Sequence, residues 1–297
     1  MMDGLLSPNR GLMVDWMSPV NWQHPLMASS LGFWMSPWGV SGGPIIHDLT
    51  RLANAAKLVG VPPWGVSMVG VAPTPHVAMD GSSQLAYVAA DPRFDITTIT
   101  LIAGIRRTAF FSGNNCLLHK WDTDFSPARY PWTLQKVATA NAFAMRSYDG
   151  TNAPVAEPPV SLPLNEWTLI CGRRVAGVTL SVTTINQSQG WQFGLTTDTT
   201  TGTTTNGLGF GIGARPTAAG GYGSEGSPVD IAFALILSGA ISDAAVTQIY
   251  SDWMQGHPTM LSRPRRSWVK AAAVGGAATV YPVIGGGVGG ASSVICC

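Results

Sequence analysis

From position 230 to 237 every residue after Asp230 is apolar. Ile231, Phe233, Leu235 and Leu237 fall on one alternation, and Ala232, Ala234 and Ile236 on the other. An apolar run of this length suits a strand covered on both sides. Ile99, Leu101, Ala103 and Ile105 repeat the period-two spacing over 99–105, which puts their side chains on one strand face. Further strands are expected at 84–89, after the turn Asp80-Gly81, and at 116–121, 132–136, 141–148, 167–172 and 178–184. Short alternating runs at such intervals predict an all-β sandwich. Composition agrees: 35 Gly and 21 Pro stand against three Glu (Glu157, Glu166, Glu225) and four Lys (Lys57, Lys120, Lys136, Lys270). Straight-chain helix formers are too scarce for a mainly helical protein.

One helix is nevertheless predicted, opening at Ser242. Its hydroxyl can cap the first amides while Ile241 staples against Val246. Val246, Ile249, Tyr250 and Trp253 form an i, i+3, i+4, i+7 stripe, and Gly256 and Pro258 end the helix. The stripe marks it as a packing element.

Three regions are distinguished: an N-terminal extended arm (1–27), a central domain (28–258) and a C-terminal arm (259–297). Pro8, Pro19 and Pro25 are expected to break any helix in the first. Arg263, Arg265, Arg266 and Lys270, with Trp268 among them, open the last as a basic patch, and 271–297 carries no charge. Seven Gly and Pro282 in that tail make a poor transmembrane helix, so no membrane span is expected. An extended arm that adds a strand to a neighbouring subunit fits the same composition. Residues 1–9 show neither a basic nor a long apolar segment, and no secretory signal is expected there.

Of the 297 residues, 45% are hydrophobic and only 11% charged, against roughly 25% charged in ordinary soluble domains. The apolar content excludes a disordered chain. A net charge of +1 supplies no field for nucleic acid or an anionic membrane, so no direct nucleic-acid binding is expected. Few charges beside 11 Trp and 11 Met point either to surface hidden in a homo-oligomer or to a large core.

Chemistry-bearing motifs are sparse. Cys116, Cys171, Cys296 and Cys297 have neither metal-ligand nor redox spacing, and the first two read as small buried hydrophobes. The five histidines, at 24, 47, 76, 119 and 257, are isolated, with no i, i+4 pair. The glycine alternation over 207–213 is followed by the turn Ala214-Arg215-Pro216 rather than a helix, which excludes a nucleotide loop and indicates a tightly packed strand. The Thr-rich stretch 196–205 reads as a solvated loop. Asp122 and Asp124 are a candidate calcium pair, although calcium wants about six to eight oxygens; no other cofactor is expected. Trp191 and Trp132 are the candidate platforms for a sugar ring.

Several segments in order resemble the laminin-G-like, concanavalin A-like jelly-roll family. They are Leu31-Gly32-Phe33-Trp34, His47-Asp48-Leu49-Thr50, Asp80-Gly81-Ser82-Ser83-Gln84-Leu85-Ala86-Tyr87-Val88 and Phe94-Asp95-Ile96. Leu117-Leu118-His119-Lys120-Trp121-Asp122, Glu166-Trp167-Thr168-Leu169, Gly211-Ile212-Gly213-Ala214-Arg215 and Ile241-Ser242-Asp243-Ala244 complete the set. The resemblance covers 28–258 and implies an antiparallel β-sandwich with one short C-terminal packing helix and extended terminal arms. The family's glucanases carry paired carboxylates on one strand; the three Glu here are scattered, so no enzymatic activity is expected. Jelly rolls with long arms resemble capsid decoration or fibre proteins of tailed bacteriophages. The resulting expectation is a virion structural protein whose arms, through Arg263, Arg265, Arg266, Trp268 and Lys270, lock onto neighbouring capsid or tail subunits. The alternative is a carbohydrate-binding module for a host-surface glycan.

Overall fold

The computed structural model describes Asn21, residues 24–35, 43–50, 52–120, 128–136 and 141–255, and the backbone of 266–270 and 280–284. Two antiparallel sheets of eight strands each face one another. The first runs β14 (Gly190–Thr197), β13 (Thr179–Asn186), β12 (Trp167–Val175), β7 (Ile99–Arg107), β18 (Pro228–Ser238), β5 (Ala72–Asp80) and β4 (Trp64–Val69). Strand β1 (Ser30–Met35) pairs with β18 beside β5. The second runs β11 (Val155–Ala156), β10 (Phe143–Tyr148), β9 (Tyr130–Lys136), β8 (Cys116–His119), β15 (Phe210–Ile212), β6 (Leu85–Val88), β3 (Ala56–Val59) and β2 (Ile45–Ile46). Two further sheets have two strands each, β16 (Arg215–Pro216) with β17 (Tyr222–Ser224), and β19 (Arg266–Lys270) with β20 (Val280–Ile284).

The hydrophobic layer between the sheets takes Leu101, Ala103 and Ile105 from β7 and Trp132, Leu134 and Phe143 from the second sheet. At its centre Phe210 meets the rings of Trp34, Phe94 and Trp132 at centroid distances of 5.4, 5.0 and 5.3 Å. A second layer lies on the outer side of the first sheet, where helix α2 (Asp243–Met254) seats Val246, Ile249 and Trp253 on Leu169, Phe233 and Leu235. Coverage on both sides is why β18 is apolar on both alternations. Ser242 caps α2, its hydroxyl accepting from the Ala245 amide at 3.2 Å. Among the described residues no helix is long and apolar enough to cross a membrane.

Four differences from the sequence reading have physical causes. The alternation of β18 breaks at Ala232, where the register on β7 shifts between Ile231 and Phe233. This bulge leaves Ile231 in the central layer while Phe233, Leu235 and Leu237 face the helix. Phe233 fits because its partner is Gly104, where a Cβ would come within 2.5 Å of the ring. Pro25 does not break a helix: it sits in the first turn of the one-turn α1 (Pro25–Ala28), behind the N-cap His24. An N–H is not needed at that position.

The Thr-rich stretch is the expected loop only from Asp198 on, largely exposed but pinned at two buried points. Thr196 and Thr197 finish β14, while Asp198 and Thr204 beyond it are buried. Asp149 accepts from the Thr201 and Gly202 amides at 2.8 and 2.9 Å, and Arg174 pairs with Asp198 at 2.8 Å. The fourth difference is the hairpin β4–β5, whose strand β5 carries Pro73 and Pro75. Its contacts with β18 are confined to Val77–Asp80, past both prolines. The glycines of 207–213 do lie in and around a packed strand: a Cβ on Gly211 would meet the Ala214 carbonyl at 2.1 Å.

Candidate functional site

Two surfaces carry chemistry, one on each sheet. The first is an apolar ridge on β14, at the edge of the first sheet. Trp191, Phe193 and Leu195 occupy alternate positions with 36%, 40% and 60% of their surface exposed. Their common face continues the outer layer beyond α2, since Trp191 pairs with Ile185 of that layer. The intervening Gly194 packs so tightly that a Cβ would meet the Glu157 carbonyl at 1.9 Å, which fixes the strand from behind. Arg173 sits 5.9 Å from the Phe193 ring centroid and is held by Ser181, Thr183 and the Ile241 carbonyl. At the tip of the β13–β14 hairpin, Glu166 accepts from the amide and hydroxyl of Ser188 at 2.8 and 2.5 Å. Gln192 donates to the Gln189 carbonyl at 2.8 Å.

The second is a polar cluster on the outer side of the second sheet, in which Cys116 and His119 are fully buried and Glu225 is partly exposed. Pairing of β8 with β9 shifts register between Cys116 and Leu118, so Leu117 and Leu118 both enter the central layer. That bulge turns Cys116 and His119 to the same outer face, where unbroken alternation would oppose them. Glu225 arrives from the loop after β17 with φ at +57°, a left-handed conformation that costs a non-glycine residue about 1–2 kcal/mol. The ligand atoms of Cys116, His119 and Glu225 all lie within 4.8 Å of one another.

Polar neighbours fix the carboxylate. Glu225 Oε1 is 3.2 Å from Arg215 Nη2, and Oε2 accepts from Gln135 Nε2 and Cys116 Sγ, each at 3.4 Å. Gln135 in turn accepts from Arg146 Nη1 at 2.9 Å. The loop is tied to β8 by the Cys116 amide on the Glu225 carbonyl, 2.7 Å, and by Ser227 Oγ on the Cys116 carbonyl, 2.7 Å. Burial first, then the Glu225 charge, pushes the Cys116 thiol well above its ordinary pKa.

The structure separates the residues singled out from the sequence. Trp191 is exposed on β14. Trp132 is buried in the central layer, its indole N–H donating to the Phe94 carbonyl at 2.9 Å; with no open face it offers no platform for a sugar. Asp122, Asp124, Arg263 and Arg265 lie outside the described residues. Arg266, Trp268 and Lys270 fall on β19, which pairs with β20 of the same tail. The histidines are less isolated than their spacing implies: His119 joins Cys116 and Glu225, and His76 Nε2 stands 3.8 Å from Asp230, its pKa lowered chiefly by burial. The Cys–His–Glu cluster escaped the sequence reading because Cys116 and Glu225 are 109 positions apart and the bulge leaves no trace in composition.

No family model matches the chain, and no curated protein matches it in sequence. Among solved structures it is similar to a Trypanosoma rangeli sialidase in complex with 2,3-difluorosialic acid, described as a covalent intermediate. The identity is 15%, the TM-score 0.52, and the match covers 76% of this chain and 33% of that one. A tryptophan-to-alanine mutant of HCR/D is similar at 9% identity and a TM-score of 0.50, over 86% of this chain and 64% of that one. The chain thus spans about a third of the length of the sialidase chains it matches. These likenesses and the two facing antiparallel sheets place the fold among concanavalin A-like, jelly-roll-type sandwiches. They also correct the expectation of a chain without enzymatic activity: the sandwich is shared with sialidases, which are enzymes, so this fold does not set the chain apart from them.

Proposed function

We propose that the sandwich is a glycan-binding module that seats sugar rings on the Trp191–Phe193 ridge of β14. The carrying observation is the pair of exposed aromatic rings at alternate positions of one rigidly backed strand. Aromatic faces present apolar surface to the C–H faces of a sugar. The carboxylate and amides at the hairpin tip, Glu166, Gln189 and Gln192, offer hydrogen-bond partners for its hydroxyls. A platform fixed before binding loses little conformational freedom when the ligand arrives. The solved sialidase structures, one in complex with sialic acid, lend this reading support at the level of the fold. The alternative of a virion component rests on the two arms, and nothing in the described residues favours it over this one.

The test is calorimetric titration of the full chain with glycans selected on an array, repeated with Trp191→Ala and Phe193→Ala. Each variant is expected to weaken binding about tenfold, equivalent to roughly 1.4 kcal/mol, with unchanged circular dichroism. Failure to bind any arrayed glycan, or affinity indifferent to both substitutions, overturns the proposal. In the latter case the apolar ridge is a protein contact.

A further inference from the structure

We propose that Cys116, His119 and Glu225 form a binding site for a single zinc ion on the outer face of the second sheet. The site lies on the sheet opposite the Trp191 ridge, and its argument is independent of glycan binding.

Donor chemistry selects the ion. One sulfur, one imidazole nitrogen and one carboxylate oxygen form a set that zinc accepts in full, whereas calcium and magnesium require oxygens throughout. The geometry agrees. In a tetrahedral site with Zn–S of about 2.3 Å and Zn–O of about 2.0 Å, sulfur and oxygen stand roughly 3.5 Å apart; Cys116 Sγ and Glu225 Oε2 are 3.4 Å apart. All three donors lie within 4.8 Å, so capture of the ion asks for closure of roughly 1 Å, within reach of side-chain rotation.

The backbone is arranged to bring these atoms together. A one-residue bulge at Leu117 turns two side chains of one strand to the same face, and a left-handed Glu225 delivers the third. Backbone outliers of this kind gather at functional sites. Outer partners orient the carboxylate, Arg215 on Oε1 and Gln135 on Oε2, as second-shell groups do in metal sites. A thiolate and a carboxylate offset the two charges of the ion, beside the positive charge of Arg215 3.2 Å from Glu225 Oε1. Cys116 and His119 are each 0% exposed and the Glu225 side chain 20%, so an ion would enter from the Glu225 side.

Binding converts the Cys116 thiol into a zinc thiolate: the S–H bond breaks, the S–Zn bond forms, and one proton leaves to solvent. Because the thiol must give up its proton to bind the ion, affinity is expected to rise with pH.

The experiment uses the full chain carrying Cys296→Ser and Cys297→Ser, which removes the vicinal thiols of the tail. Cobalt(II) serves as a spectroscopic stand-in for zinc, added to the native chain and, separately, during refolding. The expected result is a thiolate-to-cobalt charge-transfer band that saturates at one ion per chain and is displaced by zinc. That band is lost in Cys116→Ser, weakened at least tenfold in affinity in Glu225→Gln and His119→Gln, and retained in Cys171→Ser. Circular dichroism confirms that each variant is folded, and Glu225→Gln keeps the test open if Cys116→Ser is not. Absence of the band under both conditions, or a band that persists unchanged in Cys116→Ser and Glu225→Gln, overturns the proposal.

Discussion

Replacing Gly104 by alanine sets two opposing effects against each other at the point where β7 passes beneath helix α2. Glycine in a strand interior is weaker than alanine by roughly 0.5–1 kcal/mol, so backbone entropy alone predicts stabilisation. The structure predicts the opposite sign. A Cβ at Gly104 would stand 2.5 Å from Phe233 Cε1 and 2.8 Å from Trp253 Cζ2. Neither ring can swing aside, for Phe233 is 3% and Trp253 1% exposed, and the two meet edge to face at 5.2 Å. Overpacking a filled core costs about 1–3 kcal/mol; set against the entropic gain of about 0.5–1 kcal/mol, mid-range values leave a net loss of about 1 kcal/mol, and the upper bound is about 2.5 kcal/mol. Urea unfolding followed by tryptophan fluorescence measures it. Phe233→Leu removes the obstructing ring edge, so the double variant is expected to be less destabilised than the sum of the singles by at least about 0.5 kcal/mol. A neutral or stabilising Gly104→Ala, or strict additivity, would refute the argument that this glycine makes room for the bulged strand.

Two further outcomes are expected. Asp198→Ala strips the carboxylate from Arg174, whose side chain is 2% exposed. Breaking such a buried pair from one side typically costs about 3–5 kcal/mol, and a loss under about 1 kcal/mol in chemical denaturation would contradict the anchoring role given to it. Acid should also weaken the fold. Burial raises the Asp80 carboxyl, but the Ser82 and Ser83 hydrogen bonds outweigh it and hold the pKa at about 2, while the Arg93 guanidinium holds Asp91 at about 2. Both lie below the ordinary value of 3.8. Their contribution is therefore complete above the ordinary carboxylate range and lost as pH falls through the depressed values. The urea midpoint is expected to drop between about pH 4 and 2, less steeply in a variant combining Asp80→Asn with Asp91→Asn; equal slopes would exclude these two groups as the cause.

What the sequence shows and hides follows from the range of the interactions involved. Helix α2 was legible because its cap and its apolar stripe, Val246, Ile249, Tyr250 and Trp253, are local, and local spacing encodes them directly. The doubly covered β18 was legible for the same reason, although the phase change at Ala232 was not. A bulge adds one residue without altering composition, and only the register on a partner strand reveals it. Trp132 and Trp191 are alike in sequence terms, both aromatic residues in strands. What separates them is which layer each strand face meets, a property of the assembled sandwich. The pinning of the Thr-rich loop was hidden for a related reason: the Thr201 amide donates to Asp149, and the Thr200 hydroxyl donates to Asp198 and accepts from Arg174. Polar residues that look solvated in isolation are then tied down by remote partners.

The central position of β18 has a consequence for the order of events in folding. Residues 233–237 carry β1 from the start of the chain, residues 228–231 carry β5, and the whole strand zips along β7. Before β18 exists, the first sheet is three unjoined parts: β1 alone, the β4–β5 hairpin, and the four strands from β7 to β14. Their open edges are templates for wrong pairing, and the long loops they span make closure slow. A chain growing from its N-terminus therefore carries these parts as separate, aggregation-prone intermediates until its last quarter is made. A chain truncated ahead of Pro228 lacks the strand that joins these three parts within the first sheet.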